Sequence, residues 1–418
     1  MKKPVVIIPS IRTIEADRIA AIPEDVDIFV VDDSDGTIQK SRDNMTVFTY
    51  DDQREVMGKD YDLIPHKTAA CRNFAFYYIY KHTDHDVIIT LDDDVFCPPN
   101  FMDAYSAVGT EGTWPNVEVD GWYNTISFLN EFGENGRTLY PRGFPYWLRH
   151  PLEEKFSDAT GRLTCVMGLW KNVLDYDGID KYLFEDYESL RNDTRLVEPL
   201  LTVGTPDCPT KFSFCAMNFA FHRDMLPAAY QMPMDREISK HYPIWRFDDI
   251  WAGYVIEALV HKRGGQDLIG IGEPVGTHLK EGNLKREVLG EHYGHLMSPY
   301  FYSMIDAGVD AAKPGTYAAM YQDVFGHLVE NFTSVADDVR CPPLYREYFI
   351  ETFTRLRRWS QLFEREDTDA LLLARQHGLA DPPQAAAHAA IRPRHCLHAQ
   401  SRSPHPKQKI ALAEPHSH

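Results

Sequence analysis

The sequence has no Cys-x-x-Cys pair, no apolar run of membrane-spanning length and a shortage of basic relative to acidic side chains. Each shortage excludes something. Seven scattered cysteines (Cys71, Cys97, Cys165, Cys208, Cys215, Cys341 and Cys396) suit buried thiols in a reducing compartment better than a disulfide framework or structural zinc. With 43 Lys and Arg against 62 Asp and Glu, the formal charge of −19 argues against a protein that grips nucleic acid through phosphates. A small anionic ligand stays compatible, because a local pocket can oppose the global charge. After Lys2 and Lys3 the apolar run is only Val5 to Ile8 before Pro9, too short for a signal-peptide core, and nothing approaches a membrane span. A cytoplasmic protein without membrane insertion is the expectation. The first strand is followed by Pro9-Ser10-Ile11-Arg12 and not by a G-x-G-x-x-G turn, so no flavin is expected.

What is present is an ordinary globular composition, 44% hydrophobic over 418 residues, enough for a large core without staples. Val5-Val6-Ile7-Ile8, Asp27 to Val31, Thr46 to Tyr50 and Asp86 to Leu91 read as strands, and Thr68 to His82 as a helix packed on a sheet. Continuous apolar strands alternating with helices predict an α/β fold with a mainly parallel sheet covered on both faces. Tyr317 to Phe332 and Tyr345 to Phe363 carry helical apolar stripes separated by Cys341-Pro342-Pro343. These stripes suit docking on the parent domain, and a homo-oligomer is the alternative. From about Asp367 the composition turns to Ala, Pro, His, Gln and Ser, which predicts a disordered tail; His377, His388, His395, His398, His405, His416 and His418 match no defined metal spacing. The division expected is 1–300, 301–366 and 367–418.

The sharpest local signal is Asp92-Asp93-Asp94 at the end of an apolar strand. Three adjacent carboxylates repel one another unless a cation or donors compensate, and strand carboxyl ends are where open α/β sheets bind ligands. Asp92 and Asp94 form a D-x-D pair suited to Mn²⁺ or Mg²⁺ on a diphosphate; alone, the triplet reads as an acidic surface turn. Pro9, Ser10 and Arg12 follow the first strand, Asp33 and Asp35 the second, and Lys67 and Arg72 flank the next helix start, where phosphate is held. With Asp93 they form a candidate nucleotide-diphosphate site. Arg142 and Arg149 bracket an aromatic bend and are otherwise surface ion-pairing residues. Asp248 and Asp249 precede a predicted helix, where helix capping is the plain reading. His278 is a metal-ligand candidate or an ordinary loop histidine.

The order of these segments resembles the plant reversibly glycosylated polypeptides, UDP-arabinopyranose mutases. The matching pieces are Ile8-Pro9-Ser10-Ile11-Arg12, Cys71-Arg72, Asp92-Asp93-Asp94, Arg142-Gly143-Phe144-Pro145 to Arg149, Gly168-Leu169-Trp170, Asp175-Tyr176-Asp177, Met217 to Phe221, Phe247 to Gly253 and His278. The resemblance covers roughly Pro4 to Phe363 and implies a glycosyltransferase A-type, Rossmann-like fold. It implies metal at Asp92 and Asp94 with His278, reversible glycosylation of Arg142, an essential Arg149, and Asp248 and Asp249 near the sugar. The family reads Gln-Asp-Gly-Asp where this chain has Asp32-Asp33-Ser34-Asp35, and the loop Phe128 to Arg137 differs. The group also includes a bacterial GDP-galactopyranose mutase, and these departures lean toward a GDP-hexose over UDP-arabinose. The expectation is a metal-dependent, flavin-independent nucleotide-sugar mutase; the alternatives are a glycosyltransferase with a separate acceptor and a self-glycosylated or sugar-nucleotide-binding scaffold. For Arg142, electrostatic positioning is preferred over a covalent sugar adduct, because guanidinium stays protonated.

Overall fold

The computed structural model describes residues 2–128, 139–150, 152–173, 175–176, 178–183, 191–192, 196, 198–239, 242–264, 267–279 and 284–376. Loop residues 129–137, Asp177 and the tail histidines lie outside them. Residues Met1–Asp369 form one unit, and the described part of the second unit, Ala370–His418, is helix to Gln376.

The apolar runs near the N-terminus become β1 (Pro4–Ser10), β2 (Asp27–Asp32) and β3 (Met45–Phe48). The strand expected to reach Tyr50 stops at Phe48. Thr49 accepts from the Asp52 amide while the Asp52 carboxylate accepts from the Thr49 amide, a capping box that starts α1 (Tyr50–Met57). A β-branched residue thus ends a strand by opening a helix. Next come α2 (Asn73–His82), entered through a 3₁₀ turn over Ala69–Arg72, and β4 (Val87–Leu91). β3, β2, β1 and β4 are parallel neighbours in that order, so the carboxyl ends of β1, β2 and β4 share one edge.

Beyond β4 the sheet stops being mainly parallel, contrary to expectation. The further elements are β5 (Val95–Phe96), α3 (Phe101–Tyr105), β6 (Glu111–Glu118), β7 (Trp122–Tyr123), β8 (Lys155–Val173), α4 (Gly178–Leu183), β9 (Arg191–Asn192), β10 (Leu200–Val203), β11 (Lys211–Phe212) and β12 (Asn218–His222). They are followed by β13 (Glu237–Ser239), β14 (Tyr242–Pro243), α5 (Asp248–Arg263) and β15 (Asp267–His278). β12 lies antiparallel between β4 and β8, and β15 runs parallel to β8. The reversal has a topological reason. A strand arriving through Ala216-Met217 runs away from the ligand edge, so its start, not its end, reaches that edge: the Met217 carbonyl accepts from the Asp92 amide at 2.9 Å.

The chain finishes in α6 (Leu284–Ala311), α7 (Tyr317–Glu330), α8 (Phe332–Asp338) and α9 (Pro343–Gln376). The expected boundary at residue 300 falls inside α6, and α9 runs past Asp367. Both apolar stripes face inward: Tyr317, Met320, Tyr321 and Val324 are buried, as are Phe349, Leu356, Trp359 and Phe363. Trp359 and Phe363 meet Tyr77 of α2 edge-on, and the Trp359 indole donates to the Pro227 carbonyl at 3.0 Å. Burial of each such ring contributes roughly 1.5–3 kcal/mol, which accounts for the stripes within this one chain. α5 is buried from Asp249 to Val260, so it crosses the interior and fixes the start of the helix rigidly at the ligand edge. Among the described residues, no helix is long and apolar enough to cross a membrane.

Candidate active site

Each carboxylate of the triplet has its own partner. Arg72, only 1% exposed, donates through Nε to the Ala69 carbonyl at 3.0 Å, through Nη1 to the Ala216 carbonyl at 2.8 Å and the Thr90 hydroxyl, and through Nη2 to Asp92. It sits beneath the triplet with its donors committed to protein acceptors, rather than on the surface as a phosphate ligand. Asp93 accepts a bidentate pair from Arg12, at 2.8 and 2.7 Å, and a third bond from the Ser10 hydroxyl at 2.6 Å. Asp94 faces His278, whose Nε2 lies 3.9 Å from Oδ1.

The His278 Nδ1 lies 3.1 Å from the Val173 carbonyl, an acceptor only, so Nδ1 carries a proton and Nε2 is the nitrogen that faces Asp94. A carbonyl behind an imidazole is the support that a metal-binding histidine ordinarily has. Carboxylate oxygen and imidazole nitrogen are both donors for Mn²⁺ and Mg²⁺. Among the described residues, no three His, Cys, Asp or Glu side chains are gathered closely enough to hold an ion, because Asp92 is turned to Arg72. The donor set that fits is therefore the Asp94–His278 pair, with substrate oxygens needed to complete it. Burial, opposed by Arg72 and reinforced by Asp94, pushes the Asp92 carboxyl up to about 6.

At the end of β2, Asp32 folds its own turn by accepting from the amides of Ser34, at 2.7 Å, and Gly36, at 3.0 Å. Asp33 is 2% exposed and accepts from the Tyr50 hydroxyl at 2.7 Å and the Thr68 amide at 3.1 Å, with His66 Nδ1 at 3.3 Å. It ties three segments together. Asp35 stands at the exposed turn tip with φ +69° and Lys67 is exposed with φ +60°, its ammonium donating to the Asp33 carbonyl at 3.0 Å. Pro9 is packed within β1 opposite Val31.

Arg142 is 8% exposed and lies between two carboxylates. Nε donates to Asp175 at 3.0 Å, Nη2 to Asp249 at 3.0 Å, and Nη1 to Asp249 at 3.3 Å and to the Arg246 carbonyl. Against the cost of burial, the two carboxylates hold this guanidinium well above even its usual range, while Arg142 and Arg246 together hold Asp175 well below the usual carboxylate range despite its burial. Gly143 makes the bend: its φ is +83°, and a Cβ there would meet Ile250 Cδ1 at 2.5 Å. Arg149 donates to both oxygens of Asp180, at 2.8 and 2.9 Å, and lies 3.7 Å over the Tyr146 ring.

The two constellations share one residue. The Ala216 amide donates to Asp249 at 3.1 Å and its carbonyl accepts from Arg72 at 2.8 Å, so Asp92, Arg72, Ala216, Asp249 and Arg142 form one chain of contacts. Asp248 and Asp249 are the first two residues of α5, preceded by Phe247 at the cap, so neither is the capping residue expected. Asp175 and Arg246 stand within motifs legible in the sequence that carry no role for them there, and Asp180 stands in none. The signals were Asp175-Tyr176-Asp177 itself and an arginine immediately before Phe247-Asp248.

A parallel half-sheet ending in an acidic triplet, with a second acidic pair opening a buried helix across the same edge, defines a Rossmann-like fold of the glycosyltransferase type. The chain belongs to the reversibly glycosylated polypeptide family, whose profile matches residues 21–339. It is similar to a probable UDP-arabinopyranose mutase 4 of Arabidopsis thaliana, 25% identical over 345 residues, covering 79% of this chain and 84% of that protein. It is also similar to UDP-arabinopyranose mutase 3 of Arabidopsis thaliana, 27% identical over 268 residues, covering 62% and 65%. UDP-arabinopyranose mutase 2 of the same plant is 29% identical over 270 residues, covering 61% and 64%.

Proposed function

We propose that this protein is a flavin-independent nucleotide-sugar mutase that interconverts the pyranose and furanose forms of the sugar in a nucleoside diphosphate sugar. The observation that carries this reading is the contact chain from Asp92 through Arg72 and Ala216 to Asp249 and Arg142, which joins a diphosphate-type acidic motif to the buried arginine segment in one site. A plain sugar-transfer enzyme needs the first part; the second supports chemistry on the sugar itself. The names of its relatives support the same reaction class.

Arg12 and Lys67 are exposed cations at this edge and are the side chains we assign to the diphosphate. Asp94 and His278, with Asp92 beside them, are assigned to Mn²⁺ or Mg²⁺, which when bound would neutralise charge on the departing diphosphate. The six described cysteines are free, which supports work in a reducing compartment such as the cytoplasm. Two donors merit testing first. UDP-arabinopyranose follows from the relatives, and GDP-galactopyranose from the acidic turn Asp32-Asp33-Ser34-Asp35. Purified full-length protein with Mn²⁺ is expected to convert one of them to the furanose, read by anion-exchange chromatography and NMR. Absence of isomer across a donor panel, with nucleoside diphosphate released only when an acceptor is added, overturns the reading in favour of a transferase.

A further inference from the structure

Ring interconversion at one anomeric carbon exchanges one C1–O bond for another. The bond to the old ring oxygen breaks with its electron pair left on that oxygen, and a second hydroxyl oxygen bonds to C1. That hydroxyl loses a proton and the released ring oxygen gains one. The diphosphate leaves with the pair of its own bond to C1 and later returns it, so the reaction needs no oxidant, but it does need a group that takes one proton and gives one back.

Six carboxylates belong to the triplet and to the block around Arg142, and their partners separate them. Asp92 is paired with Arg72, Asp93 with Arg12, Asp175 and Asp249 with Arg142, and Asp94 faces His278. Asp248, half-buried in the first turn of α5, has its backbone carbonyl bonded to the Met232 amide, and among the described residues no other side chain hydrogen-bonds or ion-pairs with its carboxylate. On the mutase reading above, we infer that Asp248 carries the proton from the closing hydroxyl to the old ring oxygen, aimed there by the ion-paired frame of Arg142, Asp175 and Asp249.

The frame matters because Asp249 is the next residue: its oxygens bond to Arg142 and to the Ala216 amide, which fixes the helix turn that carries Asp248. The charged groups acting on Asp248 are Asp249 of its own helix, Arg142 of the aromatic bend and Arg72 of the turn before α2. Burial and Asp249 together outweigh the two arginines and push its carboxyl up to about 6, so both protonation states are accessible near neutrality.

Asp248→Asn is the direct test, with donor carrying ¹⁸O in the bond between C1 and the diphosphate. Proton transfer by a placed side chain contributes about 10²–10⁴-fold, so ring interconversion should fall by at least about 100-fold while donor binding by calorimetry holds. Migration of ¹⁸O from the bridging to the non-bridging phosphate position reports diphosphate departure and return alone, and it should persist within a few-fold. Asp248→Glu should restore part of the interconversion and a carboxylate limb in its pH profile. Interconversion near wild type in Asp248→Asn overturns the inference and leaves the mutase reading standing. Equal loss of ¹⁸O migration also overturns it, and so does loss of donor binding in both variants. A wild-type protein that shows neither interconversion nor migration overturns the mutase reading itself.

Discussion

The end of β4 and the start of α5 both crowd carboxylates together, and they resolve the crowding differently. At β4 the pairing partners come from separate loops: Arg72 from below, Arg12 from the mouth, His278 from the far strand. At α5 one buried arginine serves Asp249 and Asp175 together, and Asp248 is left to the side. The first region is built from separate pairs, one of them open to solvent, with Arg12 about half exposed. The second is a sealed block. Arginine in this protein therefore does two kinds of work: Arg12 compensates charge where the diphosphate is assigned, and Arg142 fixes the geometry of the buried carboxylates beside it.

The largest expected effect comes from breaking the sealed block. Arg142→Ala leaves buried Asp249 without its cation and Asp175 with Arg246 alone, so stability should fall by roughly 3–5 kcal/mol, the range for removing one partner of a buried pair. Arg142→Lys should do nearly as much harm, since an ammonium offers three donors in place of a planar fork of five. Turnover should drop by at least about 100-fold in both, because a displacement near 1 Å suffices for that. Urea unfolding and the mutase assay check both statements. A kinetically competent sugar adduct on Arg142, seen by mass spectrometry, breaks the comparison, because a guanidinium held protonated by Asp175 and Asp249 is no nucleophile.

The region at the end of β4 is sharpened by comparing two neighbours. Asp94→Asn should weaken Mn²⁺-dependent nucleotide binding on the order of 10–100-fold, as disturbance of a metal's surroundings does, and leave the unfolding midpoint almost unchanged. Asp92→Asn should weaken binding too, but because burial outweighs Arg72 and holds this carboxyl up at about 6, the variant should also lose the wild type's decline in stability between about pH 4 and pH 6 and gain about 1–3 kcal/mol on it at neutral pH. Titration calorimetry with and without chelator, paired with thermal melts, separates the two. Identical melts would show that the charge on Asp92 carries no net cost in the folded state.

Much of this was legible in the sequence for a local reason and the remainder was hidden for a nonlocal one. Val5 to Ile8 and Val87 to Leu91 announce buried parallel strands because every residue is apolar or β-branched, and the triplet stands out because like charges rarely adjoin without cause. Thr46 to Tyr50 misled because Thr49 serves strand propensity and helix capping equally well, and Asp52 decided between them. The long strand Lys155–Val173 escaped notice because Asp158, Thr160 and Gly161 interrupt its pattern. The frame around Arg142 was invisible in a stronger sense. Its partners lie 33 and 107 residues away, and only the return of the chain through α5 brings them together.

The smallest effect tests whether a raised proton affinity by itself marks a working carboxylate. Glu257 lies on α5 with Asp248, is fully buried, and accepts from the Phe212 amide at 3.2 Å; burial, opposed by Lys211, pushes it up to about 8. The folded value lies above the ordinary 4.5, so the folded state binds the proton more tightly than the unfolded state does. Its stability must then decline as pH rises from about 4.5 to about 8, by up to roughly 1.4 kcal/mol per unit where the difference is full. Glu257→Gln removes that slope. The variant should gain roughly 1–3 kcal/mol on the wild type between pH 5 and pH 8.5, measured as the change in urea midpoints. Its mutase pH profile should match the wild type, because the side chain packs beside Phe212 and Lys211 and has no contact with Arg142, Asp175 or Asp249. Asp248→Asn should show the reverse pattern, with a changed profile and a modest change in stability. If Glu257→Gln moved the profile as Asp248→Asn does, the two ends of α5 would be coupled and burial would explain both.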